Sequence, residues 1–333
     1  MIRRIMLLCV ILAVPAFAQT TLNGAGATFP YPMYSKWFSE YHKLHSDVEI
    51  NYQSIGSGGG IRQVLAGTVD FGASDGPMTD EQLAQAKVKI LHVPTVLGAV
   101  VPAYNVSGIS GELRFSPTTI ADICLGKISN WNDKAIAADN PGMTLPAKPI
   151  ILVHRSDGSG TNYIFTDYLS KISPEWKDKV GKGTSVSWPV GLGAKGNEGV
   201  AGMIRQMDGS FGYVELIYAV QNHIPYAAIR NAAGIWLKGS LEGATAAAGS
   251  VKQMPPDFRV SITNAPGKDA YPISSFTWLL IPVQSKDPAK GKILVDFLHW
   301  MLADGEKMTT QLDYAPLPAN VSAKVAEAIK QVH

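Results

Sequence analysis

Three times along this chain an apolar run breaks into a turn of glycine, serine and threonine, and each turn opens a segment whose apolar residues recur at helical spacing. Thr21-Leu22-Asn23-Gly24-Ala25-Gly26-Ala27-Thr28-Phe29-Pro30 leads to Tyr34, Trp37, Phe38 and Tyr41, with Pro30 suited to a first helical turn. Val48-Glu49-Ile50-Asn51-Tyr52-Gln53-Ser54-Ile55 leads through Gly56-Ser57-Gly58-Gly59-Gly60 to Ile61, Val64 and Leu65. Pro149-Ile150-Ile151-Leu152-Val153 leads through His154-Arg155-Ser156-Asp157-Gly158-Ser159-Gly160-Thr161 to Ile164, Phe165, Tyr168 and Leu169. Strands alternating with helices imply an α/β sandwich. Ligands of such sheets bind outside the carboxyl ends of the strands, where these turns gather.

The segment Val69-Asp70-Phe71-Gly72-Ala73-Ser74-Asp75 reads as a further strand, and Thr79-Asp80-Glu81-Gln82 is a capping-box pattern opening a helix through Ala86. Ile204-Arg205-Gln206 running to Phe211-Gly212 echoes Ile61-Arg62-Gln63 running to Phe71-Gly72, and both follow glycine-rich turns. The echo suggests two lobes of similar design. Apolar segments 93–101 and 276–283 are the expected crossovers between them, and Ile293, Leu294, Phe297, Leu298 and Met301 describe a closing helix that rejoins the first lobe. The expected division is 19–94 with 272–333 in lobe 1 and 95–271 in lobe 2, each a sheet flanked by helices, with a ligand cleft between them.

At 333 residues and 46% hydrophobic content the chain can bury a core large enough for two domains. Met1-Ile2-Arg3-Arg4, the apolar run from Ile5 to Val14, and Pro15-Ala16-Phe17-Ala18 have the three regions of a secretory leader cleaved after Ala18. The run is shorter than the ~20 residues a membrane-spanning helix needs, so the expectation is a periplasmic protein with no membrane anchor. Losing Arg3 and Arg4 takes the formal charge from +2 to zero, which points away from nucleic acid and membrane surfaces as partners. Cys9 leaves with the leader, so Cys124 has no intrachain disulfide partner and reads as a small buried hydrophobe.

Three loops compete for one ligand: Ala27-Thr28-Phe29, Gly56-Ser57-Gly58 and residues 155–161. Each brings hydroxyls to a helix start, where unpaired N–H groups and about half a positive charge from the macrodipole favour an anion. Arg155 adds a fixed donor fork. A tetrahedral oxyanion matches that inventory. Each hydrogen bond to a charged partner contributes roughly 1.5–3 kcal/mol net, and several reach micromolar binding, about −8 kcal/mol.

Taken in order, Gly24-Ala25-Gly26-Ala27-Thr28-Phe29-Pro30, Gly56-Ser57-Gly58-Gly59, Val69-Asp70-Phe71-Gly72-Ala73-Ser74-Asp75 and Asp157-Gly158-Ser159-Gly160-Thr161, with Asp313-Tyr314-Ala315-Pro316-Leu317-Pro318 near the end, resemble the periplasmic phosphate-binding proteins of high-affinity phosphate ABC transporters. The resemblance covers nearly all of the chain after the leader. It implies a two-lobed periplasmic binding protein fold of the type II kind, capture of inorganic phosphate in the cleft, and delivery to the membrane permease of an ABC transporter. It also implies a monomer with no catalysis, cofactor or metal. By the same resemblance phosphate is held by Thr28 and Phe29 through backbone or hydroxyl donors and by Ser57, Arg155, Ser159, Gly160 and Thr161. Asp75 accepts a phosphate proton, while Asp157 orients Arg155 and faces the ligand. Two positions depart from the common form, Gly58 where a second serine is frequent and Gly76 where alanine is frequent. An ionised carboxylate only accepts hydrogen bonds, so Asp75 is expected to repel sulfate while welcoming the proton that phosphate still carries. Sites that demand a hydrogen bond reject analogues lacking it by about 10⁴ to 10⁵.

Other readings of the same residues stand beside this one. Gly56 to Gly60 lack the Gly-Lys-Ser/Thr ending of a nucleotide P-loop. Gly72-Ala73-Ser74-Asp75-Gly76 matches the Gly-x-Ser-x-Gly nucleophile elbow, which makes a secreted phosphatase or other hydrolase the alternative, with His92, His154, His223 and His299 as downstream partners. Against it, Pro77 and the capping box delay the helix that an elbow needs at once. A binder of sulfate or molybdate is a third reading, opposed by Asp75. Asp75 could also merely cap the turn before Pro77, and Arg155 with Asp157 could form a surface ion pair of about 0–1 kcal/mol. His42 and His45 read as a solvated helix end before a metal site, and Trp37, Trp278 and Trp300 as core.

Overall fold

The computed structural model of the protein describes residues 19–333, so the leader expected over 1–18 lies outside the described residues. Eleven strands follow in chain order among them: β1 (Thr20–Gly26), β2 (Val48–Ser54), β3 (Phe71–Ser74), β4 (Ile90–Asn105), β5 (Arg114–Phe115), β6 (Ile151–Arg155), β7 (Leu192–Ala194), β8 (Ser210–Glu215), β9 (Ala228–Arg230), β10 (Trp236–Leu237) and β11 (Ser274–Pro282). Eight of them form one sheet in the order β2-β1-β3-β11-β4-β8-β6-β7, and β10-β9-β5 form a small second one.

The large sheet is symmetric about its middle. β1 runs parallel to β2 and β3, β6 runs parallel to β7 and β8, and between these groups β11 and β4 are antiparallel to each other and to their outer neighbours. The outward crossover segment 93–101 is the middle of β4, whose residues from Ile90 to Ala99 pair with β11 and from Val100 to Asn105 with β8. Nearly every residue of β4 and β11 is buried. Burial on both faces explains why these segments are unbroken apolar runs with no alternation. The register also brings the two parallel groups together: β3 ends at Ser74, opposite Trp278, which pairs with Pro94, and β8 ends at Glu215, opposite Val100. Carboxyl ends from both groups therefore meet along one short stretch of β4.

The sequence echo has a structural counterpart. β2, the helix Ser57–Ala66 and β3 repeat as β7, the helix Gly196–Gln206 and β8. In each unit a strand glycine lies close against the preceding helix: a methyl group on Gly72 would come within 3.2 Å of Val64, and one on Gly212 within 2.9 Å of Ile204.

Helices form where apolar stripes and caps demand them. Tyr31–Leu44 buries Met33, Tyr34, Trp37, Phe38 and Tyr41 on one face, with Pro30 at the N-cap just ahead of the first turn. The closing helix Pro288–Trp300 buries Leu294, Phe297 and Leu298 and sets the Phe297 ring 5.4 Å from Phe38 and 5.3 Å from Tyr41. The Thr79/Gln82 capping box forms, but its helix is only Asp80–Ala84 and buries none of its residues, so nothing favours the further turn to Ala86. Trp37, Trp278 and Cys124 are fully buried, while Trp300 is only partly covered. Burial pushes the Cys124 thiol far above the ordinary range.

Candidate functional site

The turn after β1 is pinned from behind. Tyr218 donates its hydroxyl to the Thr28 carbonyl at 2.6 Å and Tyr314 to the Phe29 carbonyl at 2.5 Å. The Phe29 ring is core, packed on Gly98 and tilted against Tyr314 at 6.3 Å. Phe29 can therefore offer the cluster only its backbone. After β2, Gly56 adopts φ 88°, a conformation that favours glycine, and Ser57 opens the helix Ser57–Ala66. After β6, the Ser159 side chain caps the helix Gly160–Ile172 by accepting from Asn162 N at 3.0 Å, which leaves Gly160 and Thr161 in its first turn.

These turns touch one another. Gly58 N donates to Gly158 O at 2.8 Å. A methyl group on Gly160 would lie 2.4 Å from both Asp75 Oδ2 and Ser57 Oγ, and one on Gly56 would lie 2.4 Å from Asp157 Oδ2. The loops following β2 and β3 are thus in contact with the loop following β6, and only glycine fits at the points of closest approach. Gly76, too, faces a partner there, since a methyl group would stand 2.7 Å from the Tyr163 ring. Thr28, Phe29, Ser57, Asp75, Arg155, Asp157, Ser159, Gly160 and Thr161 all belong to this one cluster. Every one of them is buried except Asp157, which is partly covered.

Arg155 and Asp157 form a two-pronged pair, Nε to Oδ1 at 2.8 Å and Nη2 to Oδ2 at 2.6 Å, with the arginine side chain wholly buried. The reading of an exposed ion pair does not hold. Gly196 N adds a third donor to Asp157 Oδ1 at 3.1 Å. Burial pushes the Asp157 carboxyl up, but Arg155 and the backbone donors outweigh it and hold the group below the usual carboxylate range. The remaining guanidinium nitrogen, Arg155 Nη1, is buried with no hydrogen-bond partner. An unsatisfied buried donor costs about 1–3 kcal/mol, more when charged, so this nitrogen calls for an acceptor.

Asp75 is the opposite case. Its carboxylate accepts from Thr277 Oγ1 at 2.7 Å and from Ser57 Oγ at 3.4 Å, and its backbone N–H donates to Ser57 Oγ at 3.2 Å. It therefore does more than cap the turn before Pro77. Burial raises its pKa to about 7, against the lowering effects of Thr277, Arg155 and Ser57.

Three residues at this site were not singled out from the sequence. Thr277 lies in the return crossover, where the apolar run around it gives no sign of a polar role. Asn197, buried in the first turn of Gly196–Gln206, donates from Nδ2 to Thr28 Oγ1 at 2.8 Å and to Thr161 Oγ1 at 3.0 Å. Glu215, fully buried at the end of β8, caps the helix Leu216–Gln221 through Ile217 N at 2.9 Å. The glycine-rich turn ahead of Asn197 was the available signal; Glu215 had none.

Comparison with known proteins bears on these features directly. A model of the PBP superfamily domain matches residues 13–305. The phosphate-binding protein PstS of Xylella fastidiosa (strain Temecula1) is 49% identical over 316 residues, spanning 93% of this chain and 86% of its own. The chain belongs to the phosphate-binding protein family of that superfamily. PstS of Pasteurella multocida is 46% identical over 331 residues, 98% of this chain and 95% of its own. A solved high-affinity periplasmic phosphate-binding protein, PfluDING with bound phosphate, superposes with a TM-score of 0.74 at 20% identity over 92% of this chain and 93% of its own, and shares the fold.

In this phosphate-binding family member the hydrolase elbow is not formed. Ser74 is buried and donates its hydroxyl to Gly76 O, no helix begins before Asp80, and His92 is occupied, accepting from Met78 N at 3.0 Å. Burial drives the His92 pKa down to about 4, so the ring is neutral. His154 stacks on Trp188 at 5.1 Å. His42 and His45 are exposed, one bonded to Val48 O at 2.6 Å and the other tilted against the Tyr41 ring at 4.4 Å. No helix among the described residues is long and apolar enough to cross a membrane.

Proposed function

We propose that this protein binds inorganic phosphate in the periplasm, in a cleft between segments 19–94 with 272–333 and segment 95–271, and hands it to the permease of a phosphate ABC transporter without performing chemistry. The observation that carries the reading is the pairing of opposite hydrogen-bond needs in one buried cluster: Arg155 Nη1, a locked cation with no acceptor, and Asp75, a carboxyl poised to give or take a proton near neutral pH. Thr28, Phe29, Ser57, Ser159, Gly160 and Thr161 supply further hydroxyl and backbone donors, and Asp157 holds the arginine. A phosphate ion that retains one proton satisfies both ends, because that proton lies between the ligand and Asp75 in whichever of the two holds it. The names of the relatives support the same ligand.

The test is thermal unfolding of the mature protein with phosphate and with sulfate at pH 8. Phosphate at 100 times its dissociation constant is expected to add about 2.7 kcal/mol of stability, with no comparable gain from sulfate. Equal gains from both ions, or none from phosphate, would remove the reading.

A further inference from the structure

We infer that Asn197 sets the hydrogen-bond polarity of the cleft, holding the hydroxyls of Thr28 and Thr161 as donors toward the bound anion. The inference rests on the phosphate reading above and adds to it a positioning residue that does not itself meet the ligand. Asn197 has 0% exposure, and its side chain is fully engaged within the protein. Its Oδ1 accepts from Glu215 N at 2.9 Å, and a backbone N–H can be met only by the carbonyl side of the amide, so Nδ2 is the atom that lies between the two threonines. That nitrogen has two hydrogens. They go to Thr28 Oγ1 at 2.8 Å and Thr161 Oγ1 at 3.0 Å.

A hydroxyl has one proton to give and two acceptor positions. Thr28 Oγ1 takes a second hydrogen bond from Asn197 N at 3.3 Å, so both of its acceptor positions are filled and only its O–H remains. Thr161 Oγ1 has one acceptor position filled by the same amide. Exposures of 2% and 0% keep both hydroxyls from bulk water, and a buried donor requires an acceptor. Thr28 follows β1 and Thr161 follows β6, so one amide group aligns donors from the two parallel groups of the sheet. The cleft then has a donor end at Thr28, Thr161 and Arg155 and an acceptor end at Asp75. An anion with bare oxygens on one side and one protonated oxygen on the other fits in a single orientation, its protonated corner toward Asp75.

The test is calorimetric titration of phosphate into the wild-type protein, Asn197→Ala and Asn197→Asp, and into Thr28→Val and Thr161→Val with and without Asn197→Ala. Asn197→Asp keeps the acceptor for Glu215 N but cannot donate to either hydroxyl, so it retains the structural bond and loses the orienting ones. The expected result is at least a tenfold affinity loss for Asn197→Ala and an equal or larger loss for Asn197→Asp. The cost of Asn197→Ala should shrink at least threefold once either threonine hydroxyl is absent, a coupling that a merely structural asparagine does not produce. An Asn197→Asp protein that binds better than Asn197→Ala, or costs that simply multiply in both threonine backgrounds, overturns the inference. A wild-type protein silent to phosphate would sink the phosphate reading instead, which keeps the two failures apart.

Discussion

Asp75 and Glu215 occupy matching places in the two parallel groups of the sheet, one just past the end of β3 and the other at the end of β8, yet they are used in opposite ways. Both are buried acids whose pKa burial raises. Glu215 accepts from Ile217 N at 2.9 Å on Oε2, where the Tyr314 hydroxyl oxygen also lies at 3.4 Å, its Oε1 has no partner, and the charge that bears on it is another acid, Asp313. Burial holds it well above the usual carboxylate range. Asp75 accepts from Thr277, feels Arg155 and accepts from Ser57, which together hold it to about 7 against burial. Asp157, gripped by Arg155 on both oxygens, stays ionised. Burial pushes each carboxyl up, and the donors and charges that face it decide the outcome: Thr277 and then Arg155 for Asp75, Arg155 for Asp157.

The sharpest way to break this comparison is to remove the arginine. Arg155→Met is expected to cut phosphate affinity by about 10² to 10³-fold, since it removes the central donor and leaves Asp157 buried without its partner. It should also move Asp75 upward, toward the behaviour of Glu215. Carboxyl titration by NMR checks the second point, and an Asp75 that still titrates near 7 in that variant would contradict it.

Next in size is the choice of ion. Asp75→Asn should lower the phosphate-to-sulfate affinity ratio by about 10²-fold or more, because the amide can donate to a bare oxygen. Glu215→Gln, the matching change in the other group, should leave the ratio within about twofold. Calorimetry on both variants decides whether the two acids differ in role as well as in place.

The third effect is one of pH. Because Asp75 keeps its proton up to about 7, wild-type sulfate affinity should rise as pH falls through that value, where the carboxyl becomes a donor. The stability sign follows from the same shift. An aspartate in the unfolded chain titrates near about 4, so between there and about 7 the folded protein binds the extra proton, and the contribution of Asp75 to stability is lost as pH rises through that window. Asp157, lowered in the fold, contributes above the unfolded value and loses that contribution as pH falls below it. Melting temperature against pH for wild type minus Asp75→Asn isolates the first term. A flat difference between pH 4 and 7 would contradict it.

The smallest expected effect concerns the seam. Gly76→Ala places a methyl group 2.7 Å from the Tyr163 ring, although its backbone conformation is open to alanine. Phosphate affinity should fall severalfold while the ligand-free melting temperature stays within about 2 °C, and Tyr163→Ala in the same chain should restore most of the loss.

Much of the molecule was legible in the sequence because its signals are local. Helical stripes such as Trp37, Phe38 and Tyr41, the Thr79/Gln82 box and the three glycine-rich turns each act within a few residues, and the alternation of strand and helix follows from them. What needed the tertiary structure was everything set by register between distant segments. Thr277 reaches Asp75 across 202 positions, and Asn197 reaches Thr28 across 169. No pattern within either segment encodes the distance. The same holds for the protons: Asp75, Asp157 and Glu215 are all acids in the sequence, and only burial together with the donors the fold sets against each one, Thr277 and Arg155 on Asp75 and Arg155 on Asp157, separates their behaviour.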